Sequence, residues 1–203
     1  MPMPRRAVLL FSIALLILAV AIGGASLLMR QPSGGKGSGE ALVGGPFSLI
    51  DHTGKRVSEK DFLGRYMLVF FGYTYCPDIC PTELQVMTAA LESMGAEAAR
   101  IQPIFITVDP QRDTPEVMAD YVGNFGPRLV GLTGTPEEVA AVAKVYRAYY
   151  AKAGASGTED YLMDHSSTII LMGPDGRFVK YFTYTTDAAA LAAALKETLT
   201  SSP

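Results

Sequence analysis

Two cysteines, Cys76 and Cys80, are the only ones in this 203-residue chain. They stand in Phe70-Phe71-Gly72-Tyr73-Thr74-Tyr75-Cys76-Pro77-Asp78-Ile79-Cys80-Pro81, where an apolar strand gives way to a helix. At positions i and i+4 of a first helical turn their Cα atoms would lie roughly 6 Å apart. That is inside the ~4.4–6.8 Å that a disulfide tolerates. The same face lets both sulfurs meet one ion at about 2.3 Å. The spacing therefore makes them one unit, a disulfide or two soft ligands for one metal. Pro81 suits the first helical position, where its missing N–H has no partner to lose. The partial positive charge of a helix N-terminus favours thiolate over thiol, raising nucleophilicity and metal affinity. Two inert buried thiols, or a bridge closing a tiny loop, fit less well with Pro77 and Asp78 between the sulfurs, which signal an exposed turn.

The elements that must position this pair alternate. Phe47 to Ile50 reads as a short strand before the turn Asp51-His52-Thr53-Gly54. Met67 to Phe71 is a continuous apolar run, as expected for a strand buried on both faces, and Ile104 to Val108 reads as a second buried strand. Between them a helix from Pro81 to Met94 puts Leu84, Met87, Ala90 and Leu91 on one face. Thr114-Pro115-Glu116 starts a helix reaching about Phe125, and Thr135-Pro136-Glu137-Glu138 starts another through Tyr149, with a short strand from Leu129 to Leu132 between them. Strands Thr168 to Met172 and Phe178 to Tyr184 flank the turn Pro174-Asp175-Gly176, and an Ala/Leu helix follows from Asp187. The order βαβαβαββα gives an α/β fold, a central mixed sheet of parallel inner strands and a terminal hairpin flanked by helices. With a cysteine pair closing the first central strand, it resembles the thioredoxin fold.

The N-terminal part is different in kind. Ala7 to Met29 is a run of 23 residues without a charge, about 34 Å as helix, long enough to span a bilayer with some tilt. Arg5 and Arg6 precede it, which places the short N-terminus on the cytoplasmic side. A cleaved signal peptide is the rival reading, with Ala-Ile-Gly-Gly-Ala-Ser at 21–26 as its small-residue site. Either way the remainder is exported, into a compartment that permits disulfides. Three domains follow: a membrane anchor at 1–29, a flexible Gly/Ser linker at 30–43, and a head at 44–203 large enough for a substantial core. The first 43 residues hold four basic side chains and one acidic, leaving a net −6 on the head of a chain whose total is −3. An acidic head without a Lys/Arg-rich run offers no footprint for nucleic acid.

Two histidines complete the inventory. His52 lies among polar turn residues and reads as solvated. His165, in Tyr161-Leu162-Met163-Asp164-His165-Ser166-Ser167, directly precedes the buried strand from Thr168. In a thioredoxin-like sheet the entry to that strand faces the cysteine turn, so His165 is a candidate third ligand. Two thiolates and an imidazole favour Cu(I) or Zn(II) over hard ions. Three ligands satisfy a trigonal Cu(I), whereas zinc wants a fourth.

Phe71 to Leu84 around the cysteines, Val108-Asp109-Pro110-Gln111-Arg112-Asp113-Thr114-Pro115, and Asp164-His165-Ser166 together resemble the motifs of the SCO/SenC copper proteins, in the same order. The resemblance covers the head and the anchor. It implies a thioredoxin-like, membrane-anchored metallochaperone with Cys76, Cys80 and His165 as ligands of copper, as Cu(I), Cu(II) or both. It also implies that Cys76 and Cys80 can form a redox-active disulfide. The partners it implies are the copper-binding subunit of cytochrome c oxidase, a copper donor or other assembly factor, and the membrane through the N-terminal helix. Met163 stands where a small aliphatic residue is expected. Asp164 would point away from His165 on an extended segment. Asp78 can tune the site or cap the helix, and Asp109, Arg112 and Asp113 read as a turn network beside it. The Gly-rich stretch 153–157 suggests a loop able to withdraw the imidazole. The short N-terminus lacks an Arg-rich transit stretch, so the expected location is a bacterial inner membrane, single-pass, with the head in the periplasm.

The main rival is an enzyme, a thiol-disulfide oxidoreductase that keeps the oxidase's cysteines reduced. Against it, the usual redox pair of this fold is C-x-x-C with a proline facing it, and no proline stands just before Thr168. A peroxidase of the peroxiredoxin type would carry Pro and Thr or Ser where Val69 and Tyr73 stand. A purely structural domain leaves the Cys/Cys/His set unexplained.

Overall fold

The computed structural model describes residues 43–153 and 161–201. The expected membrane helix and nearly all of the linker lie outside them, as does the Gly-rich stretch beyond Ala153. Among the described residues no helix is long and apolar enough to cross a membrane.

Seven strands form one mixed sheet in the order β2-β1-β5-β4-β3-β8-β9. They are β1 (Ser48–Asp51), β2 (Arg56–Ser58), β3 (Tyr66–Gly72), β4 (Ile101–Thr107), β5 (Val130–Thr133), β8 (Thr168–Met172) and β9 (Phe178–Thr183). β3, β4 and β5 run parallel, and β8 and β1 join them antiparallel on either side. Every residue of β3 and β4 is buried, which is why β3 reads as an unbroken apolar run from Met67 to Phe71. Four helices flank the sheet: α1 (Ile79–Ser93), α2 (Pro115–Val122), α3 (Pro136–Tyr146) and α4 (Ala188–Ser201). α1 packs beside α4, α2 on β5 and α3 on β1. The expected α/β architecture is the observed one.

Both Thr-Pro-Glu starts act as read. Thr135 and Glu138 form a reciprocal cap, Glu138 N–H to Thr135 Oγ1 at 3.2 Å and Thr135 N–H to Glu138 Oε2 at 2.9 Å. Thr114 accepts from Val117 N–H.

Three departures follow from local chemistry. α1 begins at Ile79, so Pro81 is its third residue and not its first. Proline is tolerated there because the first four helical N–H groups have no partner in the helix. α3 stops at Tyr146 instead of Tyr149, because Arg147 turns left-handed (φ 58°) and Ala148 N–H returns to Ala143 O. The chain then forms a two-stranded hairpin of β6 (Tyr150–Ala153) and β7 (Leu162–His165) that the sequence reading did not contain.

The loop between β4 and α2 is held by Asp113, which is fully buried. Its carboxylate accepts from Thr74 N–H (3.1 Å), Thr74 Oγ1 (2.6 Å) and Thr107 Oγ1 (2.5 Å). Its backbone carbonyl accepts from Thr133 Oγ1 on β5. Asp113→Ala would strand these buried donors and is expected to cost about 2–4 kcal/mol in denaturant unfolding. A loss below about 0.5 kcal/mol would contradict this account.

Candidate metal centre

Three segments converge at the C-terminal end of β3. The turn 73–78 leaves β3 itself, the loop 108–113 leaves its parallel neighbour β4, and β7 arrives from the hairpin. Gly72 ends β3 and gives the Cys80 sulfur its room: a Cβ built there would stand 2.6 Å from Cys80 Sγ.

Cys80 is fully buried as the second residue of α1, and Cys76 lies buried in the turn before it. The two are free thiols here. Cys80 Sγ is 3.2 Å from His165 Nε2, and the ligand atoms of Cys76, Cys80 and His165 all lie within 4.8 Å of one another. Three donors in a trigonal plane at about 2.0–2.3 Å from an ion are about 3.5–4.0 Å apart, so the cluster fits one soft ion after shifts of tenths of an ångström.

His165 Nδ1 lies 3.2 Å from Ser166 O. Nε2 is thus the ring nitrogen turned toward the sulfurs, the position a ligand atom needs. Two aromatic rings hold the imidazole edge-on, Tyr73 at 5.9 Å and 87° and Phe70 at 6.0 Å and 74°.

The sulfurs are not equivalent. Cys76 is pulled down to about 3, first by the Cys80 S–H donating to it, against the opposing effect of burial, with further help from His165 and the N–H groups of Asp78 and Cys80. Cys80 is pushed far up, because giving its proton away would forfeit that bond and bury a second charge. One proton is thus shared between the pair, and the charge rests on Cys76. Cys80 N–H donates to Cys76 Sγ at 3.5 Å, so the sulfur occupies the helix N-terminus where Asp78, the formal N-cap, makes no side-chain bond.

The remaining candidates sort clearly. Asp164 is exposed while Met163 and His165 face inward, the alternation expected of a strand. Asp109, Arg112 and Asp113 form the turn network, with Arg112 Nε donating to Asp109 Oδ2 at 2.5 Å. His52 lies apart from the cluster and accepts from Gly131 N–H through Nδ1. Sequence reasoning missed Tyr73, Tyr161 and Glu83. Glu83 is buried without a partner for Oε2 and its carboxyl is pushed up by burial. A glutamate three residues after Cys80, at core-facing helical spacing, was the available signal.

The family model for SCO1/SenC matches residues 35–200. Human "Protein SCO1 homolog, mitochondrial" is 49% identical over 146 residues, covering 71% of this chain and 48% of that protein. Arabidopsis thaliana "Protein SCO1 homolog 1, mitochondrial" is 47% identical over 149 residues, 73% of this chain and 44% of that one. The chain spans about half the length of these relatives. Among solved structures, Arabidopsis thaliana ScoI with copper bound superposes with a TM-score of 0.73 at 44% identity, covering 78% of this chain and 99% of that one. These relatives correct the expected bacterial inner membrane and periplasmic head, since both are named as mitochondrial proteins. The expectation rested on the absence of a transit stretch, an argument from where the chain begins, and that carries no weight.

Two outcomes test this geometry. In the reduced, metal-free protein one thiolate should persist in ultraviolet absorbance and in alkylation at Cys76 from neutral pH down to about 5, where a thiol of ordinary pKa near 8.5 is fully protonated. Loss of that signal between pH 9 and 7 would refute the assignment. Gly72→Ala, which crowds Cys80 Sγ, should leave a folded protein whose soft-metal affinity falls about tenfold or more in chelator competition.

Proposed function

This chain belongs to the SCO1/SenC family, and we propose that it is a copper-binding assembly factor for cytochrome c oxidase, holding copper through Cys76, Cys80 and His165. One observation carries the reading: two sulfurs and the nitrogen of an imidazole that lies 85 residues beyond Cys80 meet within 4.8 Å. Its relative from Arabidopsis thaliana, solved with copper bound, supports the choice of ion. The donor set agrees, since thiolates with an imidazole suit Cu(I).

Copper is the cargo of this site. Cys76 offers a thiolate already formed, His165 a neutral nitrogen, and Cys80 releases its proton as its sulfur becomes the second anionic donor. A recipient with competing soft ligands takes the ion by successive exchange, and the half-buried His165 is the ligand that can leave with least disturbance. The recipient is the copper-binding subunit of the oxidase, with a copper donor or another assembly factor upstream. The uncharged run at 7–29 is the proposed single-pass anchor, 30–43 the tether and 44–203 the copper-binding head.

A second reading is favoured by the lowered Cys76. A thiolate with a buried thiol beside it is the arrangement of an attacking and a resolving cysteine, so thiol-disulfide exchange on the oxidase's own cysteines is the alternative. On either reading, a Cys76–Cys80 disulfide would remove both anionic donors and block loading.

Anaerobic titration of the reduced protein with Cu(I) should give one equivalent bound, and His165→Ala should weaken binding at least about tenfold with the fold intact. Unchanged affinity in His165→Ala would overturn the ligand assignment. Rapid turnover of a disulfide substrate by the copper-free protein would favour the exchange reading.

A further inference from the structure

Tyr161 stands four residues before His165 and has no part in the chemistry above. Its hydroxyl donates to Asp109 Oδ1 at 2.7 Å. Two cations lie against its ring, Arg112 Cζ at 3.8 Å and Lys152 Nζ at 4.1 Å from the centroid. Lys152 is on β6, paired in register with Met163 of β7, and its ammonium also donates to Gln111 Oε1 at 3.0 Å. The contacts to Asp109, Arg112 and Gln111 join the β6–β7 hairpin to the loop 108–113, and the one between Lys152 and Tyr161 braces the hairpin side.

That loop is fastened to the cysteine turn from its other side. Asp113 holds Thr74, and Arg112 lies against the rings of Tyr73 and Tyr75 at 5.8 and 4.8 Å. Among the described residues Arg112 Nη2 has no hydrogen-bond partner, and aromatic faces lie against the guanidinium. A continuous path therefore runs from Cys76 through Thr74, Asp113, Arg112 and Tyr161 to β7 and His165. The imidazole itself meets Cys80 Sγ at 3.2 Å and the Tyr73 ring edge-on.

We propose that Tyr161 is a positioning residue for His165: it latches the β6–β7 hairpin onto the loop 108–113, keeps the imidazole within reach of the two sulfurs, and so sets how slowly copper leaves the site. The proposal rests on the reading of Cys76, Cys80 and His165 as the copper ligands. The phenol and the ring act separately. Tyr161→Phe removes the bond to Asp109 and keeps both cation contacts, while Tyr161→Ala removes all three.

The test is a double-mutant cycle in the 203-residue chain, reading the rate at which a Cu(I) chelator strips the bound ion. Tyr161→Phe should speed release about threefold and Tyr161→Ala about tenfold. In a His165→Ala background both should change the rate less than about twofold, because the latch then has no ligand to hold. Equal acceleration with and without His165, or none in either, would overturn the proposal. A metal-free arm keeps it separable from the copper reading: the His165 imidazole resonances, displaced by the Tyr73 and Phe70 rings, should move toward unstructured values in Tyr161→Phe and further in Tyr161→Ala. If the unaltered chain bound no copper, the copper reading would fail and these resonances would still decide. Unmoved resonances in both variants overturn the latch.

Discussion

A carboxylate is costly to bury unless donors surround it, and in this protein Asp113 is surrounded by them. Its partners come from the turn after β3, from the end of β4 and, through its carbonyl, from β5. The three parallel strands are thus tied together where the chemistry sits. Burial raises the Asp113 carboxyl even against the bonds from Thr107 and Thr74, so the arrangement is an expensive one to keep. It fixes the course of the chain from Tyr73 to Asp78, and with it the entry of α1 and the positions of both sulfurs.

Upon that frame the electrostatics are asymmetric. A single negative charge is sustained on Cys76 by the Cys80 S–H and by N–H groups at the mouth of α1. A second charge on Cys80 has no such support and meets both burial and its neighbour. A cation is what relieves that conflict, since it attracts both sulfurs while replacing the proton between them. The rings of Phe70 and Tyr73 hold the imidazole by ring edges.

The main elements were legible because their patterns are one-sided. Met67 to Phe71 can only be a doubly buried strand, and Thr-Pro-Glu twice announces a helix start. Pro103 hid the first residues of β4, since proline donates nothing to a ladder, although the strand runs through it from Ile101. The β6–β7 hairpin was hidden by Arg147, which takes the left-handed conformation usually signalled by glycine. The residues of the candidate site were legible by type, yet spacing alone left a disulfide and a ligand pair equally open. His165 entered through the place its segment takes in the fold and through resemblance. Tyr161 and Tyr73 were illegible as parts of the site, because a tyrosine's role there depends on which cation or imidazole faces its ring, and that is decided only by packing. The location of the chain was misjudged because it was inferred from something missing.

The separation of 85 residues between Cys80 and His165 has a meaning in time. Cys76 and Cys80 come together as soon as β3 and α1 form, through contacts close in sequence. The imidazole joins them only after β4, β5 and the hairpin are in place, and such distant pairings are the slow ones. A half-folded chain therefore already displays two adjacent thiols, open to oxidation or to whatever soft ion is nearby. The three donors come together only in the finished molecule, so retention of an ion by the proposed site would report that folding has run to its end.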